Sequence, residues 1–120
     1  MRLDKLVKTT VAALEDIKGR DIVVLDVRRM TALFDKVIVA SGDSARQNKA
    51  LASNVQEKAK ALGATVHGVE GTDSGEWVLV DLGAVVVHIM QPAIRQHYNL
   101  EELWGDAAVV PKRRAAGSVR

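Results

Sequence analysis

Carboxylates, imidazoles and hydroxyls are the groups with which this chain could do chemistry, and their spacing assembles none of the familiar catalytic sites. Asp26, Asp35 and Asp81 belong to separate apolar runs, and no Asp-x-Asp pair occurs. A two-metal phosphoryl-transfer site needs carboxylates placed close together to hold its cations. His67, His88 and His97 are dispersed and lack the i, i+4 pairing of a helical zinc site. The absence of cysteine removes disulfides, thiolate ligands and a cysteine nucleophile. Ser41, His88 and Asp81 could be arranged on paper as a triad, but no nucleophile elbow surrounds the serine. The ASGDS segment (40–44) leads from an apolar run into a helical pattern, where free N–H groups attract anions. It carries neither the GxxxxGK[ST] pattern nor GxGxxG, and helix capping accounts for Asp43 and Ser44 without a ligand. No catalytic residue, metal ligand or cofactor is predicted.

Conspicuous residues concentrate instead between Glu76 and Trp104, in EWVLVDLGAVVVHIMQPAIRQHYNLEELW. The segment reads as a β-hairpin followed by two short helical turns. A two-residue turn at Leu82–Gly83 or at Gly83–Ala84 supplies glycine where an unusual backbone angle is needed. Either turn puts Trp77, Leu79 and Asp81 on one face with Ala84, Val86, His88 and Met90. Val78, Val80, Leu82, Val85, Val87 and Ile89 share the other face, which is aliphatic throughout and is the predicted core side. The mixed face is either covered by the chain's own C-terminal helix or open to a partner. Taken singly, His88 is an ordinary structural histidine; beside Trp77, Asp81, Arg95 and Tyr98 it points to recognition. Trp, Tyr and Arg are the types that most often anchor protein interfaces.

The elements that must position this hairpin follow from periodicity. Leu3, Leu6, Val7, Thr10, Leu14 and Ile17 form one helical stripe that Gly19 ends. DIVVLDV (21–27) and DKVIVAS (35–41) read as strands, the first covered on both faces. Ser44 and Gln47 have capping-box spacing ahead of a helix with a Leu51–Ala52–Val55–Ala59–Leu62 stripe, which Gly63 closes. ATVHGVEG (64–71) reads as a third strand, GTDSG (71–75) as a loop, and the hairpin supplies strands four and five. Pro92 suits a first helical turn, and Asn99 with Glu102 could cap the last one. The predicted fold class is α/β: a single domain with a mixed five-stranded sheet and helices packed on it. Domain residues run from 1 to 107, and residues 108–120 are expected to be a basic, disordered tail.

Composition sets the remaining bounds. The chain has 120 residues and a formal charge of +2, enough length for one core without staples. Four of its seventeen Lys and Arg lie beyond Pro111, leaving thirteen against fifteen acidic residues in the body. The basic character therefore belongs to the tail, and a nucleic-acid-binding fold does not follow from it. No apolar run approaches the roughly 18 residues of a membrane span, and no secretion signal opens the chain, so the expected location is cytoplasmic.

The ordered blocks DIVVLDV, FDKVIVASGDSARQNKAL, EG, WVLVDLGAVVVHIM and RxxYNLEELW, spanning residues 3–106, resemble the ribosomal silencing factor family, relatives of the plant Iojap protein. The resemblance implies a nucleotidyltransferase-like fold without catalytic carboxylates, hence no enzyme. It also implies binding to the large ribosomal subunit through its protein L-fourteen. Bound there, the factor would block joining of the small subunit and repress translation under nutrient limitation. Trp77, Asp81 and His88 match the family's hairpin block; Arg95, Tyr98, Leu100, Leu103 and Trp104 match its final block. Asp81, with Glu70 or Glu76, would pair with basic groups on the ribosomal protein; with Leu79 and Met90 from the hairpin face, the expected partner-binding set is Glu70, Trp77, Leu79, Asp81, His88, Met90, Arg95 and Tyr98. Trp77 and Tyr98 are expected as anchors, and Leu100, Leu103 and Trp104 as residues that fix the last helix. The basic tail is expected to reach ribosomal RNA peripherally, and a homodimer of the free protein is compatible with the family. Leu82, Ala84, Phe34 and Met90 depart from the residues usual in the family. An active nucleotidyltransferase and a ribosomal-RNA-binding module are the alternatives.

Overall fold

The structure is a computed structural model that describes residues 2–104 and, for the backbone, 108–110. Helix α1 (Leu3–Asp16) leads into strand β1 (Arg20–Asp26), β2 (Lys36–Ser41) and helix α2 (Ala45–Leu62). Then come β3 (Gly68–Glu70), β4 (Trp77–Asp81), β5 (Val85–Met90), α3 (Pro92–Tyr98), α4 (Leu100–Leu103) and β6 (Ala108–Val110). All five expected strands are present, and β6 adds a sixth by pairing antiparallel to β1. Ala108–Val110 thus lie in the sheet, where the sequence predicted the start of a disordered tail; the rest of that tail, 111–120, lies outside the described residues.

The sheet order is β3-β4-β5-β2-β1-β6. Only β2 and β5 run parallel, the consequence of sending α2 across the sheet before the hairpin returns beside β2. Strand β3 is shorter than expected, because β4 is only five residues long and the ladder ends at the Gly68–Asp81 pair. Gly71 then leaves the strand with φ +88°, and an added Cβ there would collide with the Trp77 carbonyl oxygen at 2.0 Å. That close approach needs glycine.

Helices α1 and α2 pack on one face of the sheet. Their stripes, through Leu6, Leu14, Leu51 and Val55, meet Val78, Val80, Val85, Val87 and Ile89, all but Leu6 at most 1% exposed. The aliphatic hairpin face is therefore the core side, as its pattern predicted. Lys18, at φ +66°, ends the first helical segment. The Ser44 side chain accepts the Gln47 N–H (3.0 Å) at the start of α2. The reciprocal bond of a capping box is displaced by one residue: Gln47 Oε1 accepts from Asp43 N–H (2.7 Å), while its Nε2 donates to the carbonyls of Ile17 and Lys18. Asp43 is also paired with Arg20. The ASGDS turn is consumed by these internal bonds.

A second, smaller core lies on the opposite face. Leu25, Val27, Val37, Val39 and Met90 are buried there beneath Phe34, Trp77, Ile94, Leu100 and Trp104. Helices α3 and α4 therefore cover the β1–β2 half of this face.

Candidate functional site

The β3–β4–β5 half of the same face is less covered. Its register places Glu70 opposite Leu79 and Leu79 opposite His88. Trp77 stands opposite Met90, and Asp81 opposite Val86. Leu82 N–H donates to Val85 O (2.9 Å), so the hairpin loop is Gly83–Ala84, the second of the two predicted turns. Gly83 takes φ +86°. One Asp81 carboxylate oxygen accepts the Gly83 N–H (2.8 Å), which steadies the turn.

Trp77 lies at the boundary between covered and open sheet. Its Nε1–H donates to His88 Nδ1 at 3.0 Å. Because Nδ1 accepts, the neutral imidazole carries its proton on Nε2. Burial pushes the His88 pKa down to about 4, so the ring is uncharged at neutral pH. The Tyr98 ring lies 5.0 Å from that of Trp77, tilted by 47°, and His97 meets Tyr98 edge-on at 4.9 Å. Tyr98 is 55% exposed. Both earlier readings of this face are thus partly realised: α3 covers part of it, and Trp77, Leu79, Asp81 and His88 remain partly exposed.

Glu70, opposite Leu79, is exposed on this face, while Asp73 and Glu76 are exposed in the segment that leads into β4. Glu70, Glu76 and Asp81 form no ion pair among the described residues. The stretch from 61 to 104 contains six acidic residues against Arg95 alone. Arg95 does not offset them at the surface, since its guanidinium is paired with Glu101 (2.7 Å). The open face joins an aromatic patch to the carboxylates of Glu70 and Asp81.

Two expected contact residues do not face outward. Met90 is fully buried, because its register beside Trp77 and Ser41 puts it under α3. Arg95 has a side chain only 11% exposed and spends its donors on Ser41 and Glu101. Leu103, expected to fix the last helix, is 66% exposed, whereas Leu100 and Trp104 do pack on the second core. Sequence reasoning considered His97 only in setting aside a metal site and missed its contact with Tyr98. Their adjacency just after a proline-initiated turn was the available signal. It also missed the exposure of Met30 (41%) and Leu33 (82%) in the β1–β2 connection. Among the described residues, no group of three or more His, Cys, Asp or Glu is placed to hold a metal ion. Nor, among the described residues, is any helix long and apolar enough to cross a membrane.

Comparison with known proteins agrees with this architecture. The family described as ribosomal silencing factor during starvation (RsfS) matches residues 1–119. The chain is 55% identical over 105 residues to the ribosomal silencing factor RsfS of Chromobacterium violaceum, covering 88% of this chain and 86% of that protein. It is 39% identical over 107 residues to the protein of the same name from Bacillus subtilis, covering 89% and 91%. The chloroplastic Iojap protein of maize is 36% identical over 98 residues, which are 82% of this chain and 42% of that longer protein. Among solved structures, a Chromobacterium violaceum protein superposes with a TM-score of 0.86 at 50% identity, covering 98% of both chains. A Bacillus halodurans protein gives 0.80 at 32% identity, covering 90% of this chain and 98% of that one.

Proposed function

The chain belongs to the ribosomal silencing factor family, and from that premise we propose that it binds the large ribosomal subunit through protein L-fourteen and sterically blocks the small subunit. No bond is made or broken in this reading; occupation of a surface in the cytoplasm represses translation when nutrients are scarce. The observation that carries it is the half-open face on which Trp77, His88 and Tyr98 form a connected aromatic patch beside the carboxylates of Glu70 and Asp81. Such a face suits a basic protein partner: the rings supply apolar contact area, and the carboxylates repel phosphate backbones while attracting lysine and arginine. Leu79 adds aliphatic surface between Glu70 and His88.

Sedimentation with purified subunits tests the reading. Wild-type protein should travel with large subunits and not small ones, and it should reduce subunit joining. Trp77→Ala, kept folded by the intact aliphatic face, should weaken retention by roughly thirtyfold, the effect of removing an anchor worth ~2 kcal/mol. Absence of wild-type protein from the large-subunit fraction would overturn the function. Undiminished retention of a folded Trp77→Ala variant would remove this face from it.

A further inference from the structure

Arg95 occupies a position where a partner contact was expected, yet its guanidinium turns inward. Nη1 donates to Ser41 Oγ at the end of β2 (2.9 Å), and Nε and Nη2 both donate to one Glu101 oxygen on α4 (3.2 and 2.7 Å). Three elements therefore meet at one side chain. Helices α3 and α4 contain no fully buried residue, and their apolar anchorage is limited to half-buried Ile94, Leu100 and Trp104. Between them Asn99 adopts left-handed backbone, φ +48°, so the chain bends there. The Arg95–Glu101 pair spans this bend. Tyr98 lies one turn after Arg95, on the segment that the pair holds.

We propose that Arg95 is a positioning residue: its bonds to Ser41 and Glu101 lock the α3–α4 bend against the sheet and so hold Tyr98 on Trp77. The proposal rests on the reading of Trp77 and Tyr98 as partner anchors, and Arg95 reaches the partner only through them. The geometry demands a planar fork that can serve Glu101 and Ser41 together, which the single ammonium of lysine cannot reproduce. A direct contact with the partner would instead require an exposed guanidinium.

Two measurements on the full chain decide this. The first is the Trp77 indole ¹⁵N–¹H signal of the free protein, assigned with Trp77→Phe; the second is retention by purified large subunits. Arg95→Gln and Glu101→Gln, each with wild-type circular dichroism, should both move the indole signal and should each weaken retention by about tenfold. The double variant should be no weaker than Arg95→Gln alone, because that substitution already removes the link to Glu101. Arg95→Lys should behave like Arg95→Gln. An indole signal unmoved in both single variants would overturn the proposal. So would a double variant whose loss is the product of the single losses, since Arg95 would then touch the partner itself. If wild-type protein were not retained at all, the docking function would fall, and the free-protein signal would still decide whether Arg95 positions Tyr98.

Discussion

The indole N–H of Trp77 is satisfied inside the fold by His88, which leaves the ring faces for Tyr98 and for the proposed partner. A free-swinging tryptophan would lose rotamer entropy on binding; one already fixed by a hydrogen bond loses less. Burial of its own ring makes His88 sensitive to acid. In the unfolded chain an imidazole titrates near 6.5, whereas burial holds the folded His88 at about 4. Below 6.5 the unfolded state takes up a proton that the folded state refuses, so stability is complete above that pH and declines towards 4. Asp26 acts in a lower window, since bonds from Arg28 and Lys36 hold its carboxyl well below the usual carboxylate range. The expected result is a lower urea midpoint at pH 5 than at pH 7, and a smaller difference in His88→Gln. An unchanged difference in the variant would show that another group carries it. From sequence, Trp77 and His88 were identifiable as neighbours on one hairpin face. Their hydrogen bond was not, because alternation fixes which way a side chain points and not which rotamer it takes.

Among the elements, the short polar bonds around α2 show what spacing can and cannot reveal. Ser44 and Gln47 are three apart and so announce a cap, which forms. Gln47 also reaches Ile17 and Lys18, about thirty residues earlier, and no local pattern encodes that. Gln47→Ala should therefore destabilise by more than a cap partner alone, about 1–2 kcal/mol. Gln96→Ala, at an exposed site on α3, should lie within about 0.5 kcal/mol of wild type. Guanidinium titration of the two variants makes the comparison, and equal midpoints would mean the link between α1 and α2 contributes nothing. The C-terminal elements were harder to read for a related reason. Leu100, Leu103 and Trp104 look alike in a hydrophobic pattern, but a four-residue helix entered through the Asn99 bend presents only Leu100 and Trp104 to the second core. Strand β6 was missed because three small residues beside a basic tail carry little pattern; only pairing with β1 makes them a strand.

At the scale of the whole molecule, a formal charge of +2 conceals two unlike surfaces. Residues 1–60 hold twelve basic and eight acidic groups, and the exposed sides of α1 and α2 display Lys5, Lys8, Arg46, Lys49, Lys58 and Lys60. Residues 61–104, which build the open sheet face and the helices beside it, hold six acidic groups and one paired arginine. The helical layer and the open face lie on opposite sides of the sheet, so the molecule carries its charges apart. In the proposed docking on a basic protein, such a dipolar body is turned acidic face first, and this acts on the association rate more than on the lifetime of the complex. Stopped-flow binding to isolated protein L-fourteen should then slow as salt rises from about 50 to 500 mM, where the screening length shrinks from roughly 14 to 4 Å. Neutralising the rim with Glu70→Gln and Asp81→Asn should lower the low-salt rate by about fivefold and flatten its salt dependence, with dissociation little changed. Neutralising Lys5, Lys8 and Lys49 on the helical side should leave the rate the same or raise it, since those charges face away from the contact. A slower rate from the lysine variant, with no effect from the rim variant, would place the contact on the helices and take the open face out of the function.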